Sequence, residues 1–140
     1  MKRQTLTPVV IPVTEEHHIA WARQAAAALA EEIGFKRVLV YHVATSVSEL
    51  ASNLFFHANQ GGALTLTPLE RENEIGIEVV AEDDGPGIPD VELALQDGFS
   101  TGGGLGGGLP GVKRLMDEFE IASTVGVGTR VAARKWQSCK

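Results

Sequence analysis

Cysteine is almost absent. Cys139, beside the C-terminal Lys140, is the sole thiol, so no internal disulfide can form and a reducing, cytoplasmic setting is expected. No run approaches the ~20 consecutive apolar residues of a membrane helix, so membrane spanning is not expected. Met1-Lys2-Arg3-Gln4-Thr5 leads into strand-like residues rather than the apolar core of a signal peptide. Positive charge is also scarce. Twelve Lys and Arg face eighteen Asp and Glu, a net charge of −6. The clustered cations that grip nucleic-acid phosphates are missing, which argues against nucleic acid as a partner.

What is present suits one compact domain spanning residues 1–140. The length allows a sizeable core but not a second one, and 44% apolar with 21% charged residues is an ordinary globular balance. Glycine is plentiful and unevenly placed. Eight of sixteen lie between Gly98 and Gly111, which signals a local backbone requirement rather than general flexibility.

Val9–Val13 reads as a short strand, kept to a sheet edge by Pro8 and Pro12. Thr14 is the expected N-cap of a first helix, with Glu15 and Glu16 at its positive end. Ile19, Ala22, Ala26, Leu29 and Ile33 recur at helical spacing, and Gly34 closes the element. A second helix is expected from about Val38 to Ala58, with Val43, Val47, Leu50 and Leu54 as its apolar stripe. Ala63–Leu69 and the alternating Ile75, Ile77, Val79 and Ala81 form two strands joined by the polar run Glu70–Glu74. After an acidic, turn-forming stretch and a weakly structured segment comes a short helix over about Leu109–Glu118. Glu120–Thr124 and Thr129–Trp136 then make a last hairpin around Gly126-Val127-Gly128. The expected fold is α+β: a two-layer sandwich, its mixed but mostly antiparallel sheet covered on one face by three helices.

Three features carry chemistry. Glu49 and Asn53 are one helical turn apart, on the border of the second helix's apolar stripe. A carboxylate there can take a proton from a hydroxyl, and a carboxamide oxygen is a hard ligand suited to Mg²⁺. Such a pair also fits an ordinary solvated face. Asp83-Asp84-Gly85-Pro86-Gly87 ends a strand with a carboxylate able to accept from an exocyclic amine such as adenine's, with glycines that let backbone approach a flat ring. It also fits a plain turn. Gly102 to Gly108, followed by Leu109, runs straight into a helix, as a backbone cradle for phosphate oxygens would. Linkers rarely do so within a compact domain. The loop is not a Walker A motif, because Gly111-Val112-Lys113-Arg114 lacks Gly-Lys-Ser/Thr, and the catalytic-loop signatures of ordinary protein kinases are missing.

In this order and spacing the three features resemble the N, G1 and G2 boxes of the GHKL, or Bergerat-fold, ATPases. The resemblance covers nearly the whole chain. It implies ATP and Mg²⁺ as cofactors, Asn53 as the Mg²⁺ ligand, Glu49 as the general base and Asp83 as the acceptor of the adenine amine. Gly85 and Gly87 would belong to the G1 turn. Gly104, Leu105, Gly106, Gly107, Gly108 and Leu109 would belong to a mobile lid over the phosphates. Thr129, in Gly128-Thr129-Arg130, matches a position that helps fix adenine through water.

Ser48-Glu49-Leu50-Ala51, Glu82-Asp83-Asp84-Gly85-Pro86-Gly87-Ile88-Pro89-Asp90, Asp97-Gly98-Phe99-Ser100-Thr101 and the helix start Gly108-Leu109-Pro110-Gly111-Val112 are similar more narrowly to the RsbT serine/threonine kinases of the stressosome. That likeness implies phosphorylation of STAS-domain scaffold and antagonist proteins, followed by activation of a downstream effector such as a PP2C-type phosphatase. An anti-sigma factor kinase and a nucleotide-gated binding module without catalysis are the alternatives. His17, His18, His42 and His57 lack metal spacing, although His57 lies one turn beyond Asn53, at a possible cleft rim. Lys113 and Arg114 fit phosphate contact or a solvated face equally, and Trp21 and Trp136 fit the core or a partner surface.

Overall fold

The computed structural model describes residues 7–57, 61–95 and 108–139. The chain opens with strand β1 (Val9–Val13), then helices α1 (His17–Ile33) and α2 (Arg37–His57), and the hairpin β2 (Gly62–Arg71) and β3 (Glu74–Asp83). Short helix α3 (Val91–Ala94), helix α4 (Gly108–Leu115) and the hairpin β4 (Glu118–Thr124) and β5 (Gly128–Ser138) follow. The sheet order is β1-β2-β3-β5-β4, and all four pairings are antiparallel. The α+β sandwich is as expected, with two differences. No parallel pair occurs among the described strands, and α3 adds a fourth helix where a weakly structured segment was expected.

Alternation places one row of each strand against the helices. Ile11 and Val13, Leu64 and Leu66, Ile77, Val79 and Ala81, and Val131 and Ala133 are buried there. Val43, Val47, Leu50 and Leu54 of α2 meet them, as do Ala22, Ala26 and Leu29 of α1. Complete burial of side chains such as Leu50 and Leu64 is worth ~1.5–3 kcal/mol each. Alanine-rich α1, only marginally stable alone, draws its stability from this packing. The other sheet face carries charge: Arg134 Nε lies 2.9 Å from Glu78 and its Nη1 3.0 Å from Glu118.

Helix α1 starts later than Thr14 suggests, with Glu16 at its N-cap and no side-chain cap bond. Instead His18 Nδ1 accepts the N–H groups of Thr14 and Glu15, at 3.1 and 3.2 Å. An imidazole on the second residue of the helix thus holds the chain that leads into it. Gly34 closes α1 as expected, in the left-handed conformation at φ 103°. Helix α4 stops at Leu115, because Asp117 donates its N–H to Arg134 O and Glu118 has joined the sheet. Helix α3 has a readable cause: the Asp90 carboxylate accepts from Leu93 N and caps its first turn.

Candidate active site

The inward row of β3 runs Ile77, Val79, Ala81 and then Asp83, so the carboxylate occupies the next core position at the strand end. Thr129 lies directly opposite it on β5. The close approach of these strands requires glycine beside Thr129. A side chain at Gly128 would place Cβ 2.1 Å from Asp83 O. From the other side, α2 points Glu49 and Asn53 at the same space.

Together these elements enclose a cleft of about 350 Å³ lined by Glu49, Asn53, Asp83, Gly87, Gly108, Leu109 and Thr129 among others. The size and mixed lining suit a small organic ligand with a few polar anchors. Most of the site residues expected from sequence thus converge. Gly85 has a different place: it is buried, and its N–H donates to Asp83 Oδ1 at 2.7 Å, fixing the carboxylate rather than lining the cleft. Gly104, Leu105, Gly106 and Gly107 lie outside the described residues.

Glu49 is only 5% exposed, and its Oε1 accepts the N–H of Gly108 at 3.1 Å. Gly108 has φ 67°, a left-handed conformation that glycine adopts without a steric cost. It joins a buried carboxylate on α2 to the N-terminus of α4, where the helix dipole favours an anion. The cleft therefore has one end suited to a donor-bearing ring, at Asp83 and Thr129. The opposite end combines a helix start, whose dipole favours an anion, with the buried Glu49 carboxylate.

Two contributors were not recognised in the sequence. Ser123 Oγ accepts from Ile88 N at 2.7 Å and lies 2.8 Å from Thr129 Oγ1, tying the Pro86–Pro89 turn to the ring end of the cleft. The β4–β5 turn adds a second tie, Gly126 N to Pro86 O at 2.9 Å. A serine at the end of a strand carries little sequence signal, because its importance arises only from pairing with Thr129. His57 and Phe56 also line the cleft, so the rim position of His57 is observed, and Phe56 joins it despite being half exposed. Trp21 is exposed and packs with the rings of His17 and His18, whereas Lys113 and Arg114 are exposed on α4.

Among the described residues no group of three or more His, Cys, Asp or Glu side chains could hold a metal ion by itself. The donor chemistry still fits Mg²⁺ brought in by a polyphosphate, since that ion keeps waters and phosphate oxygens and needs few protein ligands. Asn53 offers the neutral oxygen.

An antiparallel sheet, an acid–amide helix row and a helix start beside a buried carboxylate are the parts of a nucleotide-binding ATPase domain. Residues 11–135 match the model of the histidine kinase-like ATPase domain, and the chain belongs to that family. It is 44% identical over 126 residues to the serine/threonine-protein kinase RsbT of Bacillus subtilis, covering 90% of this chain and 94% of that one. It is 34% identical over 129 residues to an anti-sigma F factor of Caldanaerobacter subterraneus, covering 89% of each. Among solved structures, the RsbU and RsbW domains of a Mycobacterium tuberculosis protein superpose with a TM-score of 0.64 at 15% identity. They cover 96% of this chain, which spans 34% of theirs. The mycobacterial sensor histidine kinase MprB gives a TM-score of 0.53 at 17% identity. At those identities the structural likeness speaks for the fold. No described helix is long and apolar enough to cross a membrane.

Proposed function

We propose that this chain is an ATP-dependent serine/threonine protein kinase of a bacterial partner switch, working as a single domain in the cytoplasm. The observation that carries the reading is Glu49: a buried carboxylate bonded to the start of α4, at the end of the cleft suited to phosphates. The 44% identity to a serine/threonine-protein kinase supports the same assignment.

Asp83, steadied by Gly85, accepts from the adenine amine, and Thr129 supports the ring from the opposite strand. The start of α4 receives the phosphates. Asn53 would hold Mg²⁺, which when bound neutralises charge on the phosphates. A serine or threonine hydroxyl of the partner attacks the terminal phosphorus, ADP leaves, and Glu49 takes the hydroxyl proton. Catalysis then rests on placement and charge rather than on a covalent enzyme intermediate.

STAS-domain proteins of a stressosome are the proposed substrates, and a PP2C-type phosphatase is the proposed downstream effector. The likeness to anti-sigma F factors supports a second reading, an anti-sigma factor kinase that uses the same chemistry on a different partner. Incubation with labelled ATP, Mg²⁺ and each class of partner separates the two. Label on a STAS protein supports the kinase reading, and binding without any label transfer would replace it with a nucleotide-gated binding module.

A further inference from the structure

The inward row of β5 begins with Thr129 and continues through Val131 and Ala133 to Lys135. Lys135 is only 8% exposed, at a position where alternation calls for an apolar residue. Its ammonium donates to Leu115 O at 2.6 Å and lies 3.5 Å from Asp117 Oδ1. Leu115 is the last residue of α4, so the charge sits on the negative end of that helix dipole. Asp117 closes the arrangement, its Oδ2 accepting from Trp136 N at 2.7 Å and its own N–H donating to Arg134 O at 2.8 Å.

Apolar packing seats the middle of α4, with Leu109 and Val112 buried in the core. His42, Ser46, Glu49 and Asn53 recur along α2 at spacings of four, three and four, a polar stripe on one face. Helix α4 packs against α2. His42 Nδ1 and Ser46 Oγ are buried with no hydrogen-bond partner among the described residues. Two polar tethers fix the ends of α4, Gly108 to Glu49 at its start and Leu115 to Lys135 at its end. Eight residues of helix span only ~12 Å and move as one body, so a shift at one tether appears at the other.

We infer that Lys135 is a positioning residue: by holding the C-terminal carbonyl of α4 on β5, it sets where Gly108 and the phosphate-binding helix start meet Glu49. The inference rests on the nucleotide reading of the cleft. Stability alone does not account for the lysine, because a buried ion pair is commonly no more stabilising than well-packed apolar residues of the same volume. An apolar residue would serve the core and leave the end of α4 untethered.

The test uses the full chain and three variants, Lys135→Met, Lys135→Arg and Ile11→Val, the last at a buried site on the distant edge strand β1. Melting temperature, amide exchange at Gly108 and ATP affinity by calorimetry are measured for each. Lys135→Met is expected to melt modestly below the wild type, as Ile11→Val does, because Leu115 O loses its donor, while Gly108 exchanges faster and ATP affinity falls roughly tenfold or more. Lys135→Arg, which keeps a charged donor, retains slow Gly108 exchange and ATP binding. Ile11→Val lowers the melting temperature and changes neither local readout. Wild-type exchange and affinity in Lys135→Met would overturn the inference. So would losses that follow melting temperature equally in Lys135→Met and Ile11→Val, or failure of Lys135→Met to fold. If the wild type binds no ATP, the nucleotide reading falls, and Gly108 exchange still decides whether Lys135 positions α4.

Discussion

Asp83 and Thr129 face each other across the β3–β5 ladder, and the N–H of Gly85 donates to Asp83 Oδ1 at 2.7 Å. The second carboxylate oxygen is what Asp83 can offer a ligand, and a donor such as the adenine amine suits it. Asp83→Asn keeps one acceptor but replaces the other with a donor. ATP binding should weaken by about 1.5–3 kcal/mol, the worth of a hydrogen bond to a charged group. Discrimination against GTP should shrink as well, since guanine presents a carbonyl at that edge. Calorimetry with both nucleotides checks this, and an unchanged ATP affinity in a folded variant would remove Asp83 from the site.

Ser123 holds the ring end from behind, through Ile88 N and the Thr129 hydroxyl. Ser123→Ala removes the acceptor from a partly buried N–H, a loss of about 1–3 kcal/mol spread between stability and binding. ATP affinity should fall several-fold while the fold persists, as read by calorimetry alongside circular dichroism. If the variant binds ATP like the wild type, the turn is held by Gly126 and Pro86 alone.

Glu49→Gln is the test of the chemistry. Glutamine can still accept from Gly108 N–H, so the start of α4 should keep its place, but the amide cannot take a proton from a hydroxyl. Transfer to a partner protein should become undetectable while ATP affinity stays within a few-fold. Single-turnover transfer of labelled phosphate gives the answer, and a wild-type rate would end the general-base assignment.

The sequence displayed the fold and site unevenly, and particular residues explain why. The apolar stripe from Val43 to Leu54 and the alternation from Ile75 to Ala81 are strong periodic signals, and both elements appear where the periods place them. Glu49, Asn53, Asp83 and Thr129 come from three separate elements, yet motif order was enough to place them around one cleft. Local signals were less reliable. Thr14 has cap chemistry, but α1 begins at His17, and His18 instead binds the N–H groups of Thr14 and Glu15 ahead of it. Ser123 and Lys135 were missed because neither has a meaningful sequence neighbour. Their partners are Ile88 and Thr129 for the first and Leu115 for the second, contacts that exist only after the chain has folded.

The same buried corner makes stability depend on pH through His42. Burial lowers its pKa from the ordinary 6.5, the nearby Lys135 charge lowers it further, and Asp117 opposes them in part. The unfolded chain therefore protonates this histidine at a higher pH than the folded one does. Between the folded pKa and about 6.5 the unfolded state binds more protons, so stability rises with pH through that window. The contribution is fully present above about 6.5 and is lost as pH falls toward the folded pKa. Urea unfolding at pH 7.5, 6.5 and 5.5 should show the wild type losing stability more steeply than His42→Leu. His17, His18 and His57 remain in both proteins, so the difference in slope isolates His42. Lys135→Met, which removes the second cause of the shift, should fall between them. Identical pH slopes for wild type and His42→Leu would mean that the imidazole is solvated in the folded state and that the corner beneath α4 is wet.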